Sequence, residues 1–357
     1  MSSQNSSNFR SVQETKLSEI LHRGRNNFDL LRLGAAFAVI IGHAYAIAPQ
    51  PPLQDPVSRV LHFDYSGSLA VKFFFFLSGL LVTDSIIRRP APLQFLIRRA
   101  FRIFPGLLAC LLISVLVIGP VFTNLPIGDY FSHRDTWSYL LNNSVLHPKW
   151  TLPGVFSMNE QSVNGSLWTL PYECYCYLYL AIFCSLGGFS FRFAANAICT
   201  AVIALSFLAP ECEPRFAQST QSFLLPACFA LGALFANNKQ LIRIDLQHAA
   251  LLWIFMWLVR NPMAHQCLFY IAVFYTAIYI ASLDFVINRI KLPFDASYGV
   301  YVYGFVIQQS VHATWPSAGV YFNQSLSLAL ALLIGIVSWY LIEKPSITFG
   351  TRITRGN

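Results

Sequence analysis

The sequence predicts an all-α polytopic membrane protein with about ten transmembrane helices and both termini in the cytoplasm. Three observations predict it. Only 11% of the 357 residues are charged and 55% are hydrophobic, against roughly 25% charged in soluble domains, so the charge is too sparse to cover a globule. Apolar runs long enough to span a bilayer, about 20 residues as a helix, recur from end to end. Lysines and arginines gather in alternate connecting segments, the asymmetry that orients membrane helices. The net charge of +8 is therefore a vote on topology. Membrane lipid is an expected partner and nucleic acid is not.

The elements follow in order. Residues 1–28 are polar and rich in Ser and Asn, with no apolar run and no cleavage pattern. They are not a signal peptide and are expected to form a disordered cytoplasmic tail. The spans fall near 29–48, 67–87, 103–122, 166–186, 193–210, 220–236, 248–260, 263–282, 294–312 and 323–343, with only Asn261 and Pro262 marking the break between the seventh and eighth. With the N-terminus inside, the inner segments hold most of the basic residues, Arg88, Arg89, Arg98, Arg99 and Arg102 among them. The outer segments hold Arg59, Arg134, Lys149, Arg215 and Arg260. One membrane domain, 29–345, is expected, followed by a short cytoplasmic tail, 346–357.

The segment from Thr123 to Gly165 is the one long outer loop. Its Trp137, Tyr139 and Trp150 suit an aromatic belt at the interface or a platform for a sugar ring. No inverted repeat is visible, which weakens a transporter reading. Most of the eight cysteines lie inside apolar runs and read as small hydrophobes. Cys174 and Cys176 point to different sides of a helix and make a poor metal pair, so no metal is expected. Cys212 and Cys267 both fall near the outer face, where a disulfide is one option.

The first helix carries Asp29, Arg32 and His43 inside an apolar run. Eleven residues are three helical turns, so Arg32 and His43 share a face roughly 16 Å apart. Ionisable residues at membrane depth usually mark a site or pathway. The second helix holds Lys72 and then Ser78-Gly79 in a wall of phenylalanines. The small pair reads as helix packing; Lys72 is too deep to ignore. The next inner segment packs Arg88, Arg89, Arg98, Arg99 and Arg102 together. They read either as lipid anchors or as a phosphate cradle, because guanidinium grips phosphate with two prongs. Glu173, in the run Trp168 to Tyr177 that also holds Tyr172, sits about 10 Å inside the membrane by helix rise. His43, Lys72 and Glu173 are thus expected in one layer, close enough to partner one another. Glu343-Lys344-Pro345 reads as a helix stop with an interfacial ion pair.

In order, Arg32-x10-His43, Phe74-Phe75-x-x-Ser78-Gly79, Arg99-x-x-Arg102, the LWTLPYE run ending in Glu173, the SYGVYVY run from Ser297 and WYLIEKP from Trp339 resemble the acyltransferase 3 family of membrane O-acyltransferases. The likeness covers Asn27 to Ser346. It implies transfer of an acyl group, usually acetyl from acetyl-CoA, to a hydroxyl of a surface polysaccharide or lipid-linked sugar at a bacterial inner membrane. It implies His43 as the catalytic histidine, with Arg32, Arg99 and Arg102 for the donor. The YGFVIQQ stretch is similar to the exopolysaccharide and Nod-factor modifying branch. Many relatives have a histidine in the late run where this chain has Gly304-Phe305, so no role carries over there. Some relatives continue into a soluble extracytoplasmic domain; here the sequence ends soon after the tenth helix, so transfer is expected in the membrane domain or on another protein.

The residues fit that chemistry. The expected assignment is His43 as general base, Glu173 orienting it as the acid does in a triad, and Arg32, Ser78, Arg98, Arg99 and Arg102 on the donor. Lys72, Trp168 and Tyr172 are expected on the acceptor or oxyanion. The rival readings are a transporter or flippase with a His/Glu proton relay, and a non-catalytic lipid-binding scaffold.

Overall fold

The computed structural model describes residues 15–22, 24–157, 162–208 and 222–355. Each of the ten apolar stretches is a helix. They are α1 Phe28–Ile47, α2 Ser66–Arg88, α3 Pro92–Ile113, α4 Thr169–Ser185, α5 Arg192–Leu208, α6 Leu224–Asn237, α7 Leu246–Leu258, α8 Pro262–Ala281, α9 Ser297–Thr314 and α10 Gly319–Ser338. Helices α1, α2 and α8, and the continuous runs Pro92–Phe122 and Gly319–Ile353 that contain α3 and α10, are long and apolar enough to cross a membrane. Helices α5, α6 and α7 are apolar but shorter. The chain is an all-α membrane protein. Cys212 and Arg215 lie outside the described residues.

The chain divides into two compact units. Residues up to Leu31 with Asn238–Lys291 form one; Arg32–Asn237 with Leu292–Asn357 form the other. In the first, the described part of the polar N-terminal stretch, from Thr15, carries secondary structure, where a disordered tail was expected. Strand β1, Thr15–Lys16, pairs antiparallel with β2, Arg243–Ile244, and the following turn of helix buries Leu17 and Ile20. Tyr275 of α8 donates to the Arg243 carbonyl at 2.7 Å, and Asp245 caps α7 through His248 N at 2.9 Å. Asn261 caps α8 through Ala264 N at 3.0 Å, with Pro262 in the first turn, where its missing N–H is harmless. That pair is the break read from the sequence.

In the second unit, close helix crossings are made at glycines. A Cβ on Gly79 would strike the Phe229 carbonyl of α6, and one on Gly232 the Phe76 carbonyl of α2. Helices α9 and α10 meet where a Cβ on Gly299 would lie 2.8 Å from Gly335 Cα. Small residues let backbones approach so that dispersion, not hydrophobicity, holds helices together in lipid.

Three expectations change here. The third helix begins at Pro92, well before 103, because the arginines that read as a loop occupy one side of a helix whose Phe95 and Ile103 are buried. The segment expected to be one long outer loop contains short helices Ile127–Ser132 and Arg134–Ser144. Tyr139 there is fully buried, neither belt nor platform. In the same segment Lys149 hydrogen-bonds Asp135 at 2.5 Å and holds that carboxyl below its usual range. Glu343-Lys344-Pro345 does not stop the last helix: a π-turn, Trp339–Glu343, leads directly into a helix Lys344–Ile353. Pro345 stands in its first turn, a position open to proline.

Candidate active site

A cavity of about 100 Å³ lies within the second unit. Helical periodicity decides which side chains line it. From α2 come Val71, Phe74, Phe75, Ser78 and Val82, the i, i+3, i+4, i+7 stripe of one face. Helix α3 contributes Arg99, Arg102 and Ile103, α4 Thr169, Leu170, Glu173 and Tyr177, α9 Ser297, Tyr298 and Tyr301, and α1 Arg32. Three guanidinium groups thus face one space.

Their partners differ. Arg102 is held twice: Nη2 lies 2.7 Å from Asp295 and Nη1 3.5 Å from Glu343. Its guanidinium also sits over the rings of Tyr298 and Trp339 at 5.9 and 5.7 Å. The carboxylates are fixed in turn, Asp295 by Ser297 Oγ at 2.7 Å and Glu343 by Ser338 Oγ at 3.0 Å. Arg32 reaches Asp295 at 4.0 Å. Arg99 lies over Phe95 at 5.9 Å, and its buried Nε has no hydrogen-bond partner among the described residues.

Glu173 accepts a hydrogen bond from Tyr177 Oη, which also bonds Ser78 Oγ at 2.7 Å. Tyr298 Oη donates to the Ile103 carbonyl at 2.7 Å. That ring fits against α3 because residue 106 is glycine, whose Cβ would otherwise meet it at 2.8 Å. Tyr301 donates to the Ser166 carbonyl at 3.0 Å and bonds Thr169 Oγ1 at 2.5 Å.

His43 is not on the cavity wall, but both helices that lead to it are. On α1 it shares the face of Arg32, three turns on. On α9 the cavity face continues from Tyr301 to Phe305, one turn further, whose ring edge meets the imidazole at 5.1 Å. Gly304-Phe305 is the pair at which many relatives are expected to carry a histidine. On another side stands Tyr65, its ring centroid 6.5 Å away. His43 Nδ1 is buried without a partner among the described residues.

Lys72 and Glu173, expected to partner His43, are bonded to other groups. Lys72 is fully buried and bonded to Asp64 Oδ2 at 2.8 Å and Ser68 Oγ at 2.7 Å. On α2 it lies about 100° from the neighbouring stripe residue Val71, so its ammonium does not face the cavity. Glu173 belongs with the arginines, bonded to Tyr177 rather than to the imidazole, so a His–Glu dyad is not formed. Arg98 lies about 90° from the centre of the Arg99/Arg102/Ile103 arc and is absent from the wall. Trp168 and Tyr172 pack edge to face at 5.8 Å, also off the wall.

Sequence reading passed over Asp295, Glu343, Tyr177 and Tyr298. Asp295 stands directly before the SYGVYVY run, a carboxylate at a helix start, and that was the available signal. Glu343 was hidden by the proline two residues on.

The acyltransferase domain family matches residues 25–344. The chain is 30% identical over 334 residues to an O-acetyl transferase of Shigella phage Sf6, covering 90% of this chain and 96% of that protein. It is 27% identical over 366 residues to Nodulation protein 10 of Rhizobium leguminosarum bv. viciae, covering 92% and 95%. No solved structure matches it. Family match, near full-length relatives and a helical membrane fold that brings residues of four of the ordered motifs round one cavity with Arg32 agree: the chain belongs to the acyltransferase 3 family and is a membrane-bound acyltransferase.

Proposed function

We propose that this enzyme moves an acetyl group from cytoplasmic acetyl-CoA to a hydroxyl of a surface polysaccharide or lipid-linked sugar, as a ten-span protein of a bacterial inner membrane with both ends inside. Residues 29–345 form its acyltransferase domain. The names of its relatives, an O-acetyl transferase and a nodulation protein, support an O-acetyl acceptor chemistry.

The observation that carries the reading is the arginine cavity. Arg32, Arg99 and Arg102 converge on it. Asp295 and Glu343 hold Arg102, and Asp295 also reaches Arg32, whereas Arg99 keeps a buried guanidinium nitrogen without a protein hydrogen-bond partner among the described residues. An anionic ligand is the chemistry such a group fits, and CoA supplies phosphates. Ser78 and Tyr177 offer hydroxyls beside it. The thioester then has to reach His43, about 16 Å along α1 from Arg32, which suits a long, narrow acyl carrier.

His43 acts as general base. Its ring takes the proton of the acceptor hydroxyl as the hydroxyl oxygen attacks the thioester carbonyl carbon. The carbon–sulfur bond breaks, an ester forms, and the imidazolium returns the proton to the departing thiolate. Glu173 serves the donor side, where its hydrogen bond with Tyr177 shapes the cavity.

The test is mass spectrometry of the surface glycan with and without the gene, beside acetyl-CoA consumption by membranes holding the protein. Loss of one acetyl ester per repeat in the deletion, and acetyl-CoA consumption that depends on the protein, are expected. An unchanged glycan with no consumption would sink the reading.

A further inference from the structure

Tyr65, the residue before α2, is unusual in how it is held. The residue is 37% exposed, yet the groups that fix its backbone are buried. Asp64 Oδ1 accepts the Tyr65 N–H at 2.9 Å, and Asp64 Oδ2 pairs with Lys72 at 2.8 Å, both side chains sealed from solvent. Asp55 accepts from Ser58 N at 2.9 Å and Ser66 N at 3.1 Å, tying the helix Pro56–Leu61 to the start of α2. Two glycines leave the crevice in which the ring lies. A Cβ on Gly42 would meet it at 3.2 Å and one on Gly67 at 2.7 Å. Gly42 is the neighbour of His43. Burying an ion pair carries a desolvation cost that an apolar pair avoids, and what this pair delivers is a fixed backbone at Tyr65.

We propose that Tyr65 is the acceptor-side wall of the active site, its exposed ring taking the C–H face of a sugar and presenting one hydroxyl to His43, with Asp64 and Lys72 as the positioning residues that keep it there. The proposal rests on His43 being the base of O-acetyl transfer. Three observations favour a neutral carbohydrate here. The rings flanking His43 are Tyr65 and Phe305. The nearby charges, Asp64 and Lys72, neutralise each other. Arg32, the arginine on the same helix, lies three helical turns away along α1, and Arg99 and Arg102 line its cavity rather than the surroundings of His43. A sugar ring offers C–H groups on one face and hydroxyls at its rim, and a half-exposed aromatic ring beside a proton acceptor matches both.

The experiment uses the full chain in nanodiscs, radiolabelled acetyl-CoA, and glycan extracted from cells deleted for the gene. Tyr65→Leu is expected to raise the KM for glycan about tenfold and the KM for acetyl-CoA much less. Tyr65→Phe, which keeps the ring, is expected between wild type and Leu on glycan KM. Lys72→Met is expected to lower Tm and raise glycan KM. The double variant Asp64→Asn/Lys72→Met removes both charges and keeps an acceptor for the Tyr65 N–H, so it is expected to recover most of both losses. Equal rises in both KM values for Tyr65→Leu, or a change in Tm alone, would overturn the proposal. So would a double variant that is stable but no better than Lys72→Met on glycan, since Lys72 would then act directly. If the wild-type chain transfers nothing to this glycan, the proposed function falls and this proposal with it. Normal wild-type transfer without the Tyr65 pattern overturns this proposal alone.

Discussion

Glu343 lies 3.5 Å from Arg102 although 241 positions separate them in the chain. Asp295, two residues before α9, completes the clamp at 2.7 Å, so one guanidinium ties α3 to both late segments of the chain. Arg102→Met leaves Glu343 without its cation and Asp295 with only Arg32 at 4.0 Å. It is expected to cost about 3–5 kcal/mol, read as unfolding in detergent micelles. Glu343→Gln is expected to cost less, because Asp295 still holds the arginine.

Arg99 lacks such a clamp and is expected to report on the donor instead. Lysine keeps its charge and loses the planar fork. Arg99→Lys is expected to weaken CoA binding about tenfold, the value of one charged hydrogen bond, measured by titration calorimetry. Its unliganded melting temperature is expected to drop less than that of Arg102→Met. Unaltered affinity would make Arg99 a lipid anchor.

Glu173 faces the same cavity as the arginines, so its charge opposes an anionic donor. Glu173→Gln is expected to tighten CoA binding about threefold, a modest effect in a partly screened site. Weaker binding would show that the carboxylate holds the donor through a hydrogen bond.

His43→Ala removes the proposed base and is expected to lower transfer about 10²–10⁴-fold. Quantified ester on the glycan, at matched amounts of inserted protein, checks it. Near-normal acetylation would remove His43 from the chemistry.

Gly79→Val drives a branched side chain into the Phe229 carbonyl. Overpacking of that kind is expected to cost about 1–3 kcal/mol, seen as a lower melting temperature. Its neighbour Ser78, which faces the cavity, is expected to tolerate alanine in the same assay.

How much of this was legible in the sequence depends on distance along the chain. The ten helices were, because apolar length is a local property. So were the shared face of Arg32 and His43 and the pairing of Arg99 with Arg102, each set by helical rotation alone. The small pair Ser78-Gly79 carried two meanings at once: glycine packs on α6 and serine faces the cavity. What could not be read was which ionisable group meets which. Depth placed Lys72 and Glu173 beside His43, but rotation turned Lys72 toward Asp64 and Glu173 toward the arginines. Asp64 lies in the connection before α2, where a count of intramembrane charges does not look. The start of α3 was misplaced for the same reason, since arginines on one arc of a helix resemble a charged loop when only composition is counted.

The π-turn at Trp339–Glu343 has a consequence for how this chain can vary. Such a turn closes i to i+5 and so holds one residue more than an α-turn, while the helix on either side keeps its facing. One residue can therefore be removed there without rotating Lys344–Ile353 against α10. What would be lost is the local protrusion that brings Trp339 and Glu343 to Arg102. A single-codon deletion at this point would thus separate the clamp from the tail helix that follows it, something no side-chain substitution can do.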